Sequence, residues 1–247
     1  MIGFIAWQEA APGKRQKAVV LREESILHTR FLKAEILRKE KTPEAVLRRR
    51  VLAAGKRLHR LGITQVVWPD MFAYGEMLSA CGIRPVSTLP LRRALAADWL
   101  QWALEQRFGT SAGGRIAISA QRLTGEVVRT VTEVALRHRY VLLDLPGGGE
   151  DLCRQLRREY GISLLLAPTG EQLEEASALI LFDKRDDSVG GNGVVLPLFD
   201  ESVPMPALSL LPAIEEKLPA GADRVLLTAA LRQAGVLRAG QITFARK

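Results

Sequence analysis

Three turns of the sequence, 119–125, 144–149 and 167–170, form the candidate ligand site, and the residues that could hold an anionic ligand are concentrated in the first two. The first turn, Ser119–Gly125, reads Ser-Ala-Gln-Arg-Leu-Thr-Gly, and the second, Asp144–Gly149, is an acid followed by Leu, Pro and three glycines. Glycines and helix N-termini expose backbone amides to anions, and an acid about 20 residues after a first turn can bond a ribose hydroxyl. These turns predict a candidate cofactor site with seven residues: Ser119, Gln121, Thr124, Gly125, Asp144, Gly147 and Gly148.

The elements that must position these turns form the clearest pattern in the chain. Between Gly114 and Asp183, short apolar runs alternate with amphipathic segments bounded by capping residues and glycines. Strands that alternate with helices of this length form right-handed βαβ crossovers and a parallel sheet. The predicted strands are 115–120, 140–145, 162–167 and 178–183, and the predicted helices are 124–137, 150–160 and 169–176. The fold class is therefore α/β, with a Rossmann-like, mostly parallel, doubly wound sheet preceded by a smaller mixed α/β lobe.

These 70 residues resemble the cofactor-binding pattern of nicotinamide-dependent dehydrogenases, which implies NAD or NADP as the cofactor. That family has G-x-G-x-x-G in the first turn, where the glycines admit the pyrophosphate. Here Gly125 alone is present, and the earlier glycine positions carry side chains. Asp144 remains at the position of the ribose-binding acid, although an acid there is also common as a plain turn residue. The glycine run 147–149 has a simpler interpretation too, as a flexible connection after Pro146.

Other chemistries lack their sequence motifs. The segment 143–148 resembles the second acidic motif of some P-loop ATPases, but no G-x-x-x-x-G-K-[ST] occurs in the chain, which excludes that phosphoryl-transfer class. His28, His59 and His138 have no Cys, Asp or His at metal-ligand spacing, so we expect no metal site. The string G-x-S-x-G occurs at 109–113, but a predicted helix precedes it and a predicted strand follows, so it is not the strand-to-helix elbow of a nucleophilic serine.

The N-terminal part predicts three strands, at 3–8, 17–24 and 30–38, and the Pro-Gly turn at 11–14 predicts that the first two pair as a hairpin. A helix follows from Thr42 to Leu61, and a second from Asp70 to Cys81. A long helix, 89–108, precedes the glycines at 109–114. We therefore expect a boundary there and divide the chain into three parts: 1–109, a basic mixed α/β lobe; 110–200, a Rossmann-like lobe; and 201–247, helices that pack back on the lobes.

Positive charge is concentrated in the first of these parts. Residues 1–109 carry 19 Lys and Arg against 10 Asp and Glu, whereas residues 110–247 carry 16 against 17. Six cations lie on one face of the helix 42–61: Arg48, Arg49, Arg50, Lys56, Arg57 and Arg60. Such a face could bind the phosphates of a polyanion. Most basic helices, however, are explained by a solvated surface, on which arginine is a good helix former. No aromatic residues or nucleic-acid-binding motif accompany these cations. Nucleic acid is therefore a weak third hypothesis.

The bulk composition is that of a globular protein, with 47% hydrophobic and 25% charged residues. No apolar run approaches the ~20 residues that span a bilayer, and the two cysteines, Cys81 and Cys153, are too far apart in sequence to suggest a disulfide framework. We therefore expect a cytoplasmic location and no membrane partner. The oligomeric state is left open.

Two functional hypotheses follow from the degenerate first turn. One is a binding or regulatory protein, non-catalytic, that takes a nucleotide or a small anionic metabolite in the cleft between its lobes. It predicts that Gln121, Arg122 and Leu123 fill the space of a pyrophosphate. The alternative is an NAD(P)-dependent oxidoreductase of two-lobed architecture, which predicts an open groove over 119–125 with Asp144 at its edge. The missing glycines favour the first, and both remain open.

Overall fold

The computed structural model describes residues 1–9, 16–110, 114–185 and 193–245. The chain forms two compact units: the first unit comprises Met1–Thr88 and Ala207–Ala245, and the second unit begins at Leu89 and ends at Pro206. The residues 89–108, expected as the last helix of the N-terminal lobe, therefore belong with the Rossmann-like part. Their helices contact the helix after the first strand of that part and two of its strands.

The first unit is built on a mixed five-stranded sheet. Its elements in chain order are β1 Ile2–Glu9, β2 Val19–Ile26, β3 Thr29–Arg38, α1 Glu44–Arg60, β4 Gln65–Val67, α2 Gly75–Ser79 and β5 Arg84–Pro85. The strand order is β2-β3-β1-β4-β5, in which β2 alone runs antiparallel to its neighbour. The apolar stripe of α1, including Val51, Ala54 and Leu58, packs on Ile5 and Ile36 of the sheet.

The predicted hairpin of the first two strands is wrong. β1 pairs in parallel with β3 and β4, while β2 pairs with β3 on the far side. Phe4 and Ile5 are both buried, so β1 is covered on both faces and takes a central position. Arg22, Glu23 and Glu24 make β2 polar, which suits an edge strand. The Pro-Gly turn behind the prediction lies outside the described residues.

The C-terminal segment belongs to the first unit. It contains β11 Leu208–Leu210, α8 Pro212–Glu215, α9 Arg224–Gln233, a 3-10 turn at Ala239–Gln241 and β12 Ile242–Phe244. β11 and β12 form a two-stranded antiparallel sheet that the sequence did not predict. Asp223 caps α9 by accepting hydrogen bonds from the amides of Val225 and Leu226, each at 3.0 Å.

The second unit has the Rossmann-like sheet. Its elements are α3 Leu89–Ala94, α4 Ala96–Phe108, β6 Arg115–Ser119, α5 Gly125–Arg137, β7 Tyr140–Asp144, α6 Gly149–Tyr160, β8 Leu165–Leu166, α7 Gly170–Glu174, β9 Ala178–Leu181 and β10 Val194–Pro197. The order is β10-β9-β6-β7-β8 and every pairing is parallel. If the strands are numbered within the unit, the order is 5-4-1-2-3. Read from the opposite edge it is 3-2-1-4-5, the strand order of a doubly wound sheet.

Burial explains why these strands could be predicted. Ile116, Ala117 and Ile118 are fully buried, so both faces of β6 are covered by other elements. Ala117 lies in register with Leu142 and Leu179, and this row packs against Leu173 of α7. The fold class is thus α/β with a parallel, doubly wound sheet, as the sequence predicts.

Two predicted helices differ from the structure. The helix expected over 89–108 is divided at Leu95, whose φ of −101° and ψ of 10° leave the helical region. The helix expected from Asp70 to Cys81 is reduced to α2. Met71 has a φ of +51°, and the Asp70 carboxylate accepts the hydrogen bond of its amide, so residues 70–74 form a turn instead.

Candidate functional site

The candidate site lies where strand order reverses in the sheet of the second unit. Its first strand, β6, has β7 on one side and β9 on the other, and Ser119 is in register with both Asp144 and Leu181. Three strands therefore end at the same level. Ligands of open parallel sheets bind outside the carboxyl ends of the strands at such a reversal.

A group of polar side chains, which we call the carboxyl-edge cluster, occupies this place: Ser119, Asp144, Asp183 and Arg185. The hydroxyl of Ser119 donates a hydrogen bond of 2.8 Å to Oδ2 of Asp144. The guanidinium of Arg185 donates to the Ser119 hydroxyl at 3.0 Å and forms an ion pair with Asp144. Ser119 is buried, whereas Asp144 and Arg185 keep 31% and 20% of their side chains exposed, so solvent reaches the charged members.

Asp183, which follows β9, holds the first turn by a hydrogen bond to its backbone. Its Oδ2 accepts a hydrogen bond of 2.8 Å from the backbone amide of Gln121. The side-chain amide of Gln121 lies 3.5 Å from the carbonyl of Lys184, the residue that precedes Arg185. The turn after β6 is thus tied to the turn after β9 across the point of reversal.

The remaining predicted residues lie at helix starts. Thr124 is the N-cap of α5, and its hydroxyl accepts a hydrogen bond of 3.3 Å from the amide of Val127. Gly125 is the first residue of that helix, and a Cβ added there would meet no heavy atom within 4 Å. The same holds for Gly147. Neither glycine is required by its protein surroundings.

Gly148 differs from the other glycines of this turn. It is the N-cap of α6 with a φ of +79°, a conformation that L side chains rarely adopt. A Cβ there would also lie 3.2 Å from Cδ2 of Leu123. Leu123 therefore reaches from the first turn to the second, so the backbone of the glycine run is partly covered by a side chain of the chain itself.

A dinucleotide fits this edge in one part and not in another. Asp144 ends the second strand of the unit, where an acid can bond a ribose hydroxyl. The first turn carries side chains at 120–123, ties Gln121 to Asp183 and places Leu123 against Gly148, so a pyrophosphate has no glycine-lined approach to α5. The position of Asp144 is thus the feature shared with a dinucleotide site, and the first turn departs from one.

Arg185 and Asp183 were not predicted as site residues. The loop expected from Lys184 to Asn192 falls partly outside the described residues, but its first two residues are described and Arg185 belongs to the cluster. The signal was the topology: the fourth strand of a doubly wound sheet returns beside the first, so residues after it meet the first turn.

A second cluster, of aromatic rings, lies in the first unit. Trp68 stacks on Phe72 with ring centroids 5.5 Å apart, and Phe72 and Tyr74 meet edge to face at 5.4 Å. Trp7 contacts Phe72 and Tyr74, and a guanidinium lies 5.5 Å over its ring. Burial and a 3.0 Å hydrogen bond to Glu44 raise the pKa of Tyr74. Every ring in this cluster packs on another, and we assign it to the stability of the unit.

The described residues contain neither a metal-binding cluster nor a membrane-spanning helix. In the four described ranges, no group of three His, Cys, Asp or Glu side chains is placed to hold a metal ion. None of the helices described is both long and apolar enough to cross a membrane.

Comparison with known proteins gives only distant structural similarity. No protein-family model matches the chain, and no curated protein matches its sequence. Among solved structures, it is similar to L-tryptophan dehydrogenase from Nostoc punctiforme, at 14% identity and a TM-score of 0.31 over 61% of this chain and 44% of that one. It is also similar to shikimate dehydrogenase from Aquifex aeolicus, at 10% identity and a TM-score of 0.26 over 64% and 62% of the two chains.

A transcarbamylase is matched at the same level. N-acetyl-L-ornithine transcarbamylase has 15% identity and a TM-score of 0.26, with 53% of this chain and 47% of that one covered. The chain thus spans about half the length of L-tryptophan dehydrogenase and of this transcarbamylase. The assignment of a Rossmann-like α/β fold rests on the strand order of the second unit.

Proposed function

We propose that the second unit is a ligand-binding Rossmann-like unit without catalytic activity, and that its ligand is a small anionic metabolite or a nucleotide. The observation that carries the proposal is the carboxyl-edge cluster, which places one guanidinium, one hydroxyl and two carboxylates at the reversal of strand order. Sites of this kind use a few convergent polar groups to orient a ligand.

The chemistry of the cluster suits a ligand with both an anionic group and a hydroxyl. The guanidinium of Arg185 can form paired hydrogen bonds to a carboxylate or phosphate. Asp144 and Ser119 can accept hydrogen bonds from hydroxyl or amino groups. Arg185 and Asp144 form an ion pair with each other, and a ligand would exchange with that pair.

The side chains of the first turn favour binding of a compact ligand over a dinucleotide. A pyrophosphate would have to approach the first turn past two contacts. The side chain of Leu123 lies against Gly148, and the amide of Gln121 is hydrogen-bonded to Asp183. An NAD(P)-dependent oxidoreductase remains the second candidate, and Asp144 at the ribose position is the observation in its favour.

A thermal-shift panel tests the proposal. The ligands are simple carboxylates, ATP, S-adenosylmethionine, NAD and NADP, each tested on the wild type, Asp144→Ala and Arg185→Gln. A ligand at 100 times its dissociation constant adds about 2.7 kcal/mol of stability, which is a shift of several degrees for a chain of this size. We expect a shift with a carboxylate or a mononucleotide that both substitutions reduce.

Asp151→Ala and Arg154→Gln are matched controls, because these two residues pair with each other on the exposed surface of α6. Asp151→Ala changes the net charge as Asp144→Ala does, and Arg154→Gln changes it as Arg185→Gln does. Both controls should leave the ligand-induced thermal shift unchanged. A shift with NAD or NADP that Asp144→Ala abolishes would contradict a compact ligand and favour the oxidoreductase. A panel without any shift would contradict both.

A further inference from the structure

A groove in the first unit is independent of the site proposed above. It lies between the beginning of β2 and the helix α1, and its volume is about 440 Å³, the size of a small-ligand pocket. Its lining combines four cations, Lys17, Arg49, Arg50 and Arg57, with apolar residues that include Val19 and Val46. No acid is among the lining residues.

Two of the four cations are fixed in place by the backbone. Arg57 donates a hydrogen bond of 3.0 Å to the carbonyl of Val19, and Arg50 donates to the carbonyl of Leu37. The Val19 carbonyl is available because β2 is an edge strand. The two arginines are seven residues apart on α1, and their Cα atoms are therefore about 10 Å apart along the helix. Cations already held in one geometry lose less conformational entropy when a ligand binds.

The four cations of the groove differ from other arginines of the described residues in their ion pairing. Within the described parts of the chain, none of them forms an ion pair with a carboxylate, whereas arginines elsewhere do: Arg22, Arg93, Arg115 and Arg137 each pair with an acid. The whole first unit carries 20 Lys and Arg against 11 Asp and Glu. A concave surface with several uncompensated cations attracts anions and raises their local concentration.

We propose that this groove binds an organic phosphate, with the phosphate held by Arg49, Arg57 and Lys17 and an apolar part of the ligand against Val19 and Val46. A phosphate suits the groove better than a carboxylate, because it carries up to two negative charges and three acceptor oxygens. A nucleic acid suits it less well, because the lining contains no aromatic side chain on which a base could stack.

Hexyl phosphate is the direct probe for this groove, and its binding to the full chain can be measured by titration calorimetry at low salt. Arg49→Gln and Lys17→Gln remove two lining cations that make no described hydrogen bond, so both variants should fold. We expect each to weaken binding about tenfold, the effect of losing one charge-assisted hydrogen bond. Arg48→Gln and Lys56→Gln are the matched controls, since these cations lie on the same helix outside the groove.

The result separates three sources of phosphate. Hexyl phosphate represents a free metabolite, and vesicles of phosphatidylcholine with and without phosphatidic acid represent a lipid headgroup. Binding of either probe that only the groove variants weaken supports the proposal and identifies the source. If a single-stranded oligonucleotide binds and all four variants weaken that binding equally, the proposal is overturned in favour of a diffuse polyanion-binding surface. No binding of hexyl phosphate or of the vesicles would also overturn it. None of these outcomes depends on Asp144 or Arg185.

Discussion

Ser119 and Asp144 end two neighbouring strands and are joined by a side-chain hydrogen bond of 2.8 Å. Because Ser119 is buried, its hydroxyl depends on this partner and on Arg185 for hydrogen bonds. The pair therefore links the positions at which β6 and β7 leave the sheet. Its value for stability can be measured apart from any ligand.

The first prediction is a coupling between these two residues. We expect Ser119→Ala and Asp144→Ala to be non-additive in the free energy of unfolding by about 1 kcal/mol, the usual contribution of one hydrogen bond. Urea unfolding of the two single variants and the double variant measures it. Thr132→Ala, which removes a hydroxyl that bonds to the Val128 carbonyl in α5, serves as the control partner and should be additive with Asp144→Ala. Additivity of the Ser119 pair would contradict the hydrogen bond.

The sequence predicted most of the second unit because its strands are buried on both faces. A run such as 115–120 has apolar residues at successive positions, which separates it from the half-exposed strands of the first unit. For β1 and β2 the local signal was a Pro-Gly turn, and it indicated a hairpin. The sheet instead places buried β1 at its centre and charged β2 at its edge, a decision that depends on long-range burial.

The closeness of two residues of the carboxyl-edge cluster could be predicted from the sequence. Ser119 and Asp144 lie at the ends of strands that are adjacent in sequence, so their proximity follows from one βαβ unit. Arg185 lies 41 residues after Asp144 in the sequence and approaches it only because β9 returns beside β6. No local motif marks that approach, and the position of Arg185 becomes evident only when the strand order is known.

The second prediction concerns two glycines with opposite requirements. A Cβ at Gly193 would lie 2.5 Å from the carbonyl oxygen of Ala176, a backbone atom that cannot move aside. We therefore expect Gly193→Ala to destabilise the unit by about 1–3 kcal/mol. A Cβ at Gly125 meets open space, so Gly125→Ala should be neutral or stabilise by up to about 1 kcal/mol. Thermal unfolding of the two variants measures both.

The Gly125 variant also bears on the site. If the first turn served as a pyrophosphate loop, an added methyl group there would obstruct the ligand without affecting the fold. Dinucleotide binding that is present in the wild type and lost in a stable Gly125→Ala variant would favour the oxidoreductase hypothesis.

The third prediction is a pH dependence that arises from His138. This residue ends α5 and is buried, and burial lowers its pKa below the ordinary 6.5, with Arg137 as a second cause. The folded state therefore favours the neutral ring, and the unfolded state binds more protons. The contribution of His138 is most favourable above pH 6.5 and becomes less favourable as the pH falls from 6.5 through the lowered pKa.

Unfolding of the wild type and of His138→Gln across this range isolates the effect. The stability of the wild type should fall more steeply with decreasing pH than that of the variant, and the two curves should run parallel above pH 6.5. Parallel curves throughout would show that His138 titrates alike in the folded and unfolded states.

The fourth prediction concerns the cap of α9 in the C-terminal segment of the first unit. The Asp223 carboxylate accepts hydrogen bonds from two amides at the helix start, and its charge also interacts favourably with the helix dipole. Asp223→Ala should reduce the free energy of unfolding by about 1–2 kcal/mol.

Asp223→Asn is the matched control for this cap, because it keeps an acceptor oxygen and removes the charge, so it should cost less than alanine. Since Leu227 and Ala230 of α9 are fully buried, a weakened cap should also increase amide hydrogen exchange along this helix. Equal losses for alanine and asparagine would assign the whole effect to charge and contradict a hydrogen-bonded cap. A larger loss of unfolding free energy for alanine, together with faster amide exchange in α9, would establish that this cap stabilises the C-terminal segment of the first unit.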